Sequence, residues 1–447
     1  MLPGLGGPMG RRARPEGAWF DPRGWLVLAG TALFLALTLR QIPCVQTDAT
    51  NAVDAIIRLC YSDIPLSWTS SAFGTGASPV VGHDVLPYPP ALGVMILLSI
   101  QVTRLLGGQV APGADLQTQL DAAQIYFGIT IVWLFLSFLA WVLAMMLLGR
   151  GSRGRHRSWD AMWVAASPVV LAVGLIAWEL FPIALTAVAL AMLARDRPVE
   201  AGAMLGLAAS AASMPFAVIV AVVVALQLRG AWRTLLPLAG SLAVAFAAVH
   251  VPVFLADPGA VLGHYRGQVS GSASYGSLWY LLQSLGLNLR ETGSLGFMIL
   301  LAFMGTLISV LYIRGRQPRI GSLVGVFIFA SAVLAPAYPP QMGLWLLFAV
   351  LLARPFRPEL MAVTVTQVAY WAAIWGWLSG HLTAAQNGPQ NLYWGALLAR
   401  VAVDVWIVVS SVRDAGRLQE CRILGPPQDW AEPDESTMLA PARAERG

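Results

Sequence analysis

Thirteen apolar runs, separated by short polar gaps, constrain this chain more than any other feature. They lie near 25–41, 85–106, 122–148, 159–174, 178–194, 199–211, 214–228, 234–254, 295–313, 320–336, 342–353, 359–377 and 391–411. Repeated runs of this kind fit a bilayer, where each segment must close its own backbone hydrogen bonds as a helix. With 57% hydrophobic and 11% charged residues, the chain is not a soluble enzyme. The predicted fold class is an all-α polytopic membrane protein.

The positive charge is all arginine, because the sequence contains no lysine, and the formal net charge is +5. This is not a nucleic-acid footprint: the arginines gather between apolar runs, at 11–23, 150–157, 195–197, 229–233, 314–319, 354–357 and 413–422. Such clusters mark the cytoplasmic side of a membrane protein. With both ends cytoplasmic the number of crossings is even. Alternation holds for every run after the 150–157 cluster and fails by one before it. One of the three runs between 25 and 148 is therefore expected not to cross fully, which leaves about 12 transmembrane helices. The short runs 199–211 and 214–228 flank Ser213-Met214-Pro215 and read as a broken helix.

The division that follows is a cytoplasmic segment 1–24, a transmembrane domain 25–412, and a cytoplasmic tail 413–447 predicted to be disordered. No small-residue cleavage site follows the first run, so an uncleaved N-terminus in a multi-pass plasma-membrane protein is expected. Two long polar loops, 43–90 and 255–294, fall on the extracytoplasmic side, together with tips near Ala177-Trp178-Glu179 and Ala335–Gln341. That asymmetry predicts a site on the outer face.

Loop 43–90 holds four aspartates, Asp48, Asp54, Asp63 and Asp84, against one arginine, Arg58. A carboxylate at a membrane surface can take a proton from a sugar hydroxyl, work worth ~10²–10⁴ in rate. The competing reading for each is a solvated loop residue or a helix cap. Cys44 and Cys60 lie in the same loop and suit a structural disulfide; without Cys-x-x-Cys spacing, redox catalysis is disfavoured. Glu179, at a membrane boundary, is either a functional acid or an interfacial residue beside an anchoring tryptophan. Loop 255–294 offers Arg266, Tyr275, Trp279 and Arg290: rings cover sugar faces and arginine forks clamp phosphates, though an aromatic belt gives the same composition. No metal-ligand spacing and no Asp-x-Asp is present, so neither metal nor cofactor is expected.

In order along the chain, several stretches resemble the polyprenol-phosphate-mannose-dependent membrane mannosyltransferases of glycosyltransferase family 87, in the GT-C superfamily, and its actinobacterial branch in particular. They are Cys60-Tyr61-Ser62-Asp63-Ile64-Pro65 followed by Leu86-Pro87-Tyr88-Pro89-Pro90, and Trp159-Asp160-Ala161 with Ser167-Pro168. Trp178-Glu179-Leu180, Ala201–Leu207 with Met214-Pro215, Tyr275–Tyr280 and Pro339–Met342 with Leu344-Trp345 complete the set. The resemblance covers roughly 25–412. It implies a GT-C fold that moves a hexose, mannose in the family, from a polyprenyl-phosphate donor to a glycolipid or polysaccharide acceptor, with inversion and without a metal.

On that pattern Asp63, or next Asp48, is the base. Arg58, Tyr88, Glu179, Arg266, Tyr275, Trp279 and Arg290 bind substrate, and membrane lipid surrounds the whole. Two departures stand out: Glu179 replaces the family's aspartate, and Ser213 stands where the family has lysine. The lost cation favours a rival, a non-catalytic envelope-assembly scaffold or a lipid-carrier translocase. A secondary transporter is a further rival, but it would carry more mid-membrane acids than Asp404 alone.

Overall fold

The computed structural model describes residues 21–46, 48–50, 54–149, 159–287, 289–355, 357–383 and 390–416. Most of the expected segments 1–24 and 413–447 lies outside these. Among the described residues there is no β-strand. Each of the thirteen apolar runs carries helix.

In chain order the helices are α1 (Pro22–Val45), α2 (Asp63–Ser70), α3 (Pro90–Leu105), α4 (Leu116–Gly149), α5 (Met162–Ala165), α6 (Pro168–Val173), α7 (Leu180–Leu193), α8 (Pro198–Ala209) and α9 (Met214–Leu228). Then follow α10 (Trp232–Ala256), α11 (Pro258–Ser270), α12 (Leu278–Ser284), α13 (Thr292–Ile313), α14 (Ile320–Leu334), α15 (Gly343–Ala353), α16 (Arg357–Leu378) and α17 (Gln390–Ala415). Proline opens many of them, where its missing N–H costs nothing and its φ is already helical. Asp21, Ser167 and Asp257 cap α1, α6 and α11 with side-chain oxygens.

Five helices, α1, α4, α10, α13 and α17, are long and apolar enough to cross a membrane. α16 is as long as α13 at 22 residues but less apolar, and the remaining apolar helices are shorter; α3 has 16 residues, a length of about 24 Å at 1.5 Å per residue. The helices α14 and α15 are buried nearly all round and form the centre. By contrast, α10 and α13 leave Leu236, Val244, Leu255, Met298 and Leu301 exposed, as faces turned to lipid do.

The broken-helix reading of 199–228 needs correction. Gly202 of α8 packs against the Leu238 carbonyl of α10, and Gly206 against that of Leu242. Further on, Ser210 reaches His250 at 3.3 Å. These three contacts advance together along both chains, so α8 and α10 run parallel. A Cβ at either glycine would collide with the α10 backbone, which is how the two come so close. Since α10 starts beside the start of α8, α9 must run back the other way. The turn at 210–213 thus joins two opposed helices.

The chain's two kinds of connection also sort to opposite ends. Arg229 bonds to the carbonyls of Gln317 and Pro318, Arg319 to that of Ala353, and Arg354 to Glu359 and Asp414. The clusters at 229–233, 314–319 and 354–357 and the start of 413–422 therefore lie at one end. At the other end the Asp63 amide bonds to Ile176, Leu86 to Ala260, Ala91 to Ser210 and Ser274 to Pro336. Both long loops and both tips share that end. Neither loop is extended chain throughout: α1 carries past Pro43 to Val45, α2 occupies part of the first loop, and α11 and α12 lie in the second.

Candidate active site

The first loop is anchored before it reaches Asp63. Cys44, on the last turn of α1, forms a disulfide with the buried Cys60, their Cα atoms 5.8 Å apart. With its amide oriented so that both ends are paired, Gln41 donates to the Cys60 carbonyl and accepts from Arg40 Nη2 at 3.1 Å. Ser62 then caps α2 by accepting from the Ile64 amide, and Asp63 is the first residue of that helix. Its own amide donates to the Ile176 carbonyl at 2.7 Å.

The four aspartates of the loop part company here. Asp48 is exposed and accepts from the amide and hydroxyl of Thr50, which hold its carboxyl below the usual range. Asp54 is exposed and caps the turn at Ile56 and Ile57. Asp84 is exposed. Asp63 alone is sheltered: the Tyr61 hydroxyl donates to it at 2.7 Å, and the Tyr61 ring packs on Trp375 at 5.2 Å. Burial raises the Asp63 carboxyl above its ordinary value, and the Tyr61 hydrogen bond opposes that rise. Tyr275, still 39% exposed, has its phenol raised first by burial and then by the nearby Asp63 charge. Tyr88 is raised in the same way, and its ring stands edge-on to Trp178 at 5.3 Å. The result is a sheltered carboxylate held by one phenol, with two more close enough to feel its charge.

Glu179 belongs to the same corner, three residues beyond the carbonyl that holds the Asp63 amide. It accepts from the indole N–H of the buried Trp345 at 2.6 Å. The other expected contributors do not reach the cluster. Arg58, Arg266 and Arg290 are exposed, and none bonds to it among the described residues. Trp279 turns inward and spends its indole N–H on the Leu334 carbonyl, so it acts as a packing anchor rather than a sugar platform. Ser213, where a family lysine was expected, is exposed at the start of α9.

Two features escaped sequence reasoning. Arg40 sits at the loop end of α1, partly buried, with Nη1 donating to the carbonyls of Leu171 and Ala172 at 2.6 and 2.9 Å. An arginine at the outer end of an apolar run runs against the positive-inside pattern, and that was the signal available. The second is the buried pair of Arg400 and Asp404, four residues apart on α17, at 3.1 Å. Arg400 lies over the Tyr338 ring at 3.6 Å and donates to the Gly276 carbonyl at 3.0 Å. The Gly276 amide donates to the Tyr393 hydroxyl, and Tyr370 to the Tyr338 carbonyl. Gly276 has φ +77°, and a Cβ there would strike the Tyr370 hydroxyl and the Tyr338 carbonyl. This knot fixes the backbone on which Tyr275 faces Asp63. It also gives Asp404, the acid on which the transporter reading leaned, a partner.

Comparison with known proteins adds one finding. No curated protein matches the chain significantly. Residues 120–336, just under half of the chain, match the model of glycosyltransferase family 87, a stretch that contains Glu179, Arg266, Tyr275 and Arg290 but begins after Asp63, Tyr88 and Arg40. With the apolar helices around that stretch, the match supports a membrane glycosyltransferase of family 87.

Proposed function

We propose that this protein is an inverting GT-C glycosyltransferase of about twelve crossings. On this reading it moves a hexose, mannose by family resemblance, from a polyprenyl-phosphate donor to a lipid- or polymer-linked glycan on the extracytoplasmic face. Asp63 is the general base. It takes the proton of the acceptor hydroxyl as the acceptor oxygen forms its bond to the anomeric carbon. The bond from that carbon to the phosphate oxygen breaks, and its electron pair leaves with the polyprenyl phosphate. Tyr61 orients the carboxylate, while Tyr88 and Tyr275 offer hydroxyls and ring faces to the sugars.

One observation carries the reading: of four aspartates in the loop, only Asp63 is sheltered, held by a hydroxyl and faced by rings. Burial suits a base, because a raised carboxylate accepts a proton more readily. The scaffold reading draws on the exposure of Ser213 and of all three loop arginines.

Membranes carrying the wild type or Asp63→Asn, supplied with radiolabelled polyprenyl-phosphate mannose, separate the two. Transfer of label into lipid or polysaccharide should fall by about 10²–10⁴ in the variant at equal expression. Equal transfer by both removes Asp63 as base. No transfer by either favours the scaffold.

A further inference from the structure

The three loop arginines suited to a leaving phosphate all stand in the open, away from Asp63. A different cation does border the site. Arg40 is partly buried and makes no ion pair among the described residues. A cation withdrawn from water without a counter-charge is costly, and in a membrane protein such a group marks a ligand or ion path. Its guanidinium lies over Trp371 at 5.5 Å. Trp375, one turn further along α16, packs on Tyr61, whose hydroxyl holds Asp63. Two tryptophans a turn apart on α16 thus stand between Arg40 and the candidate base, one against each.

The donors of Arg40 are only partly used. Of the five N–H groups of a guanidinium, Nη1 commits two to the Leu171 and Ala172 carbonyls and Nη2 one to Gln41. Nε–H is buried with no partner. Two donors are left, Nε–H and one hydrogen of Nη2, and neighbouring guanidinium nitrogens can grip a phosphate with two parallel bonds. The committed edge holds the group in place, because the two carbonyls end α6 and Gln41 is tied to the disulfide through Cys60.

We propose that Arg40 binds the lipid-borne phosphate of the donor and stabilises it as it leaves. The assignment rests on the glycosyltransferase reading above. A polyprenyl-phosphate sugar carries one negative charge on its phosphodiester, and breaking the bond to the anomeric carbon leaves a second on the departing oxygen. A fixed cation is most useful where charge of that kind develops.

The test uses the full chain in nanodiscs of zwitterionic lipid, with binding and ligand-induced thermal shift measured for four probes: polyprenyl phosphate, the uncharged polyprenol, phosphatidylglycerol and inorganic phosphate. Polyprenyl phosphate should bind Arg40→Gln at least tenfold more weakly than wild type, with Arg40→Lys between them. Polyprenol should bind all three alike.

If folded Arg40→Gln binds polyprenyl phosphate unchanged, Arg40 is only a cap on α6 and the assignment fails, while the glycosyltransferase reading stands. If phosphatidylglycerol or inorganic phosphate matches polyprenyl phosphate and the response disappears in Arg40→Gln, the phosphate site stands and the donor reading falls. A wild type that binds no phosphate probe overturns both. Should Arg40→Gln fail to fold, Arg40→Lys carries the test, and unchanged affinity there overturns the fork assignment.

Discussion

Two arginines meet neighbouring residues of α16: Arg40 on α1 lies over Trp371, and Arg400 on α17 lies over Tyr370. Arg400 is 1% exposed, paired with Asp404 and stacked on Tyr338. Arg40 keeps some exposure, has no carboxylate, and rests on backbone carbonyls. A buried charge with a matched partner is part of the framework, and losing either member strands the other. A partly exposed charge with no carboxylate beside it among the described residues is held ready for something else. The same side chain therefore builds the scaffold in one place and faces the substrate in the other.

Breaking the Arg400 pair should have the largest effect on the fold. Arg400→Met leaves Asp404 buried and uncompensated, and should cost about 3–5 kcal/mol. Thermal denaturation in detergent would register this as a large fall in midpoint. The double variant Arg400→Met with Asp404→Met should recover most of it, since an apolar replacement of a buried pair is often neutral. Arg40→Gln, by comparison, should cost about 1.5–3 kcal/mol, the scale of a lost hydrogen bond to a charged group. Equal losses at the two sites would make Arg40 another framework residue.

Opening the Cys44–Cys60 disulfide comes next. Cys44→Ser releases a loop with a sequence separation of 16, and chain entropy sets the loss at about 3 kcal/mol. Because the bridge ties the end of α1 to the segment bearing Asp63, the variant should lose activity more than its stability alone accounts for. Transfer assays run at matched folded fractions would detect this. Activity that follows the folded fraction would reduce the bridge to a staple. Trp345→Phe is smaller, removing the indole bond to Glu179 at about 1.5–3 kcal/mol for a charged acceptor.

The helices were legible because lipid imposes one rule on every span, and apolar runs reveal it directly. All thirteen runs carry helix, and the clusters at 229–233, 314–319 and 354–357 lie together. The course of α9 was harder to read, since a turn at Ser213 and a kink there leave the same sequence signal. Only the close packing of Gly202 and Gly206 on α10 resolves it.

At the site, the Tyr61–Asp63 pair lay within one short motif, yet four aspartates looked alike until burial separated them. Arginines in a polar loop drew attention because they were visible beside aromatics. Arg40 was hidden at the end of an apolar run, although its position against the positive-inside pattern was a usable sign. Arg400 stood four residues before Asp404, on the same helical face, and that spacing alone would have paired them.

The smallest effect concerns Asp63 and runs in two directions. Burial raises its folded carboxyl above the ordinary 3.8. Between that value and the raised one, the folded state keeps a proton that the unfolded chain has released. Stability therefore falls as pH rises through this window and is flat on either side. Activity goes the other way, because a base must be ionised to accept a proton, so transfer rises with pH through the same interval. Asp63→Asn removes the titration, and its stability should change less with pH there than that of the wild type. The difference between wild-type and variant denaturation midpoints across pH isolates this one group from the exposed Asp48, whose carboxyl is lowered by Thr50 and shifts stability the opposite way. A wild type whose stability climbs through the window relative to Asp63→Asn would mean that the carboxylate is favoured by the fold. Asp63 would then belong with Arg400 as framework, and the contrast between the two arginines would lose its catalytic side.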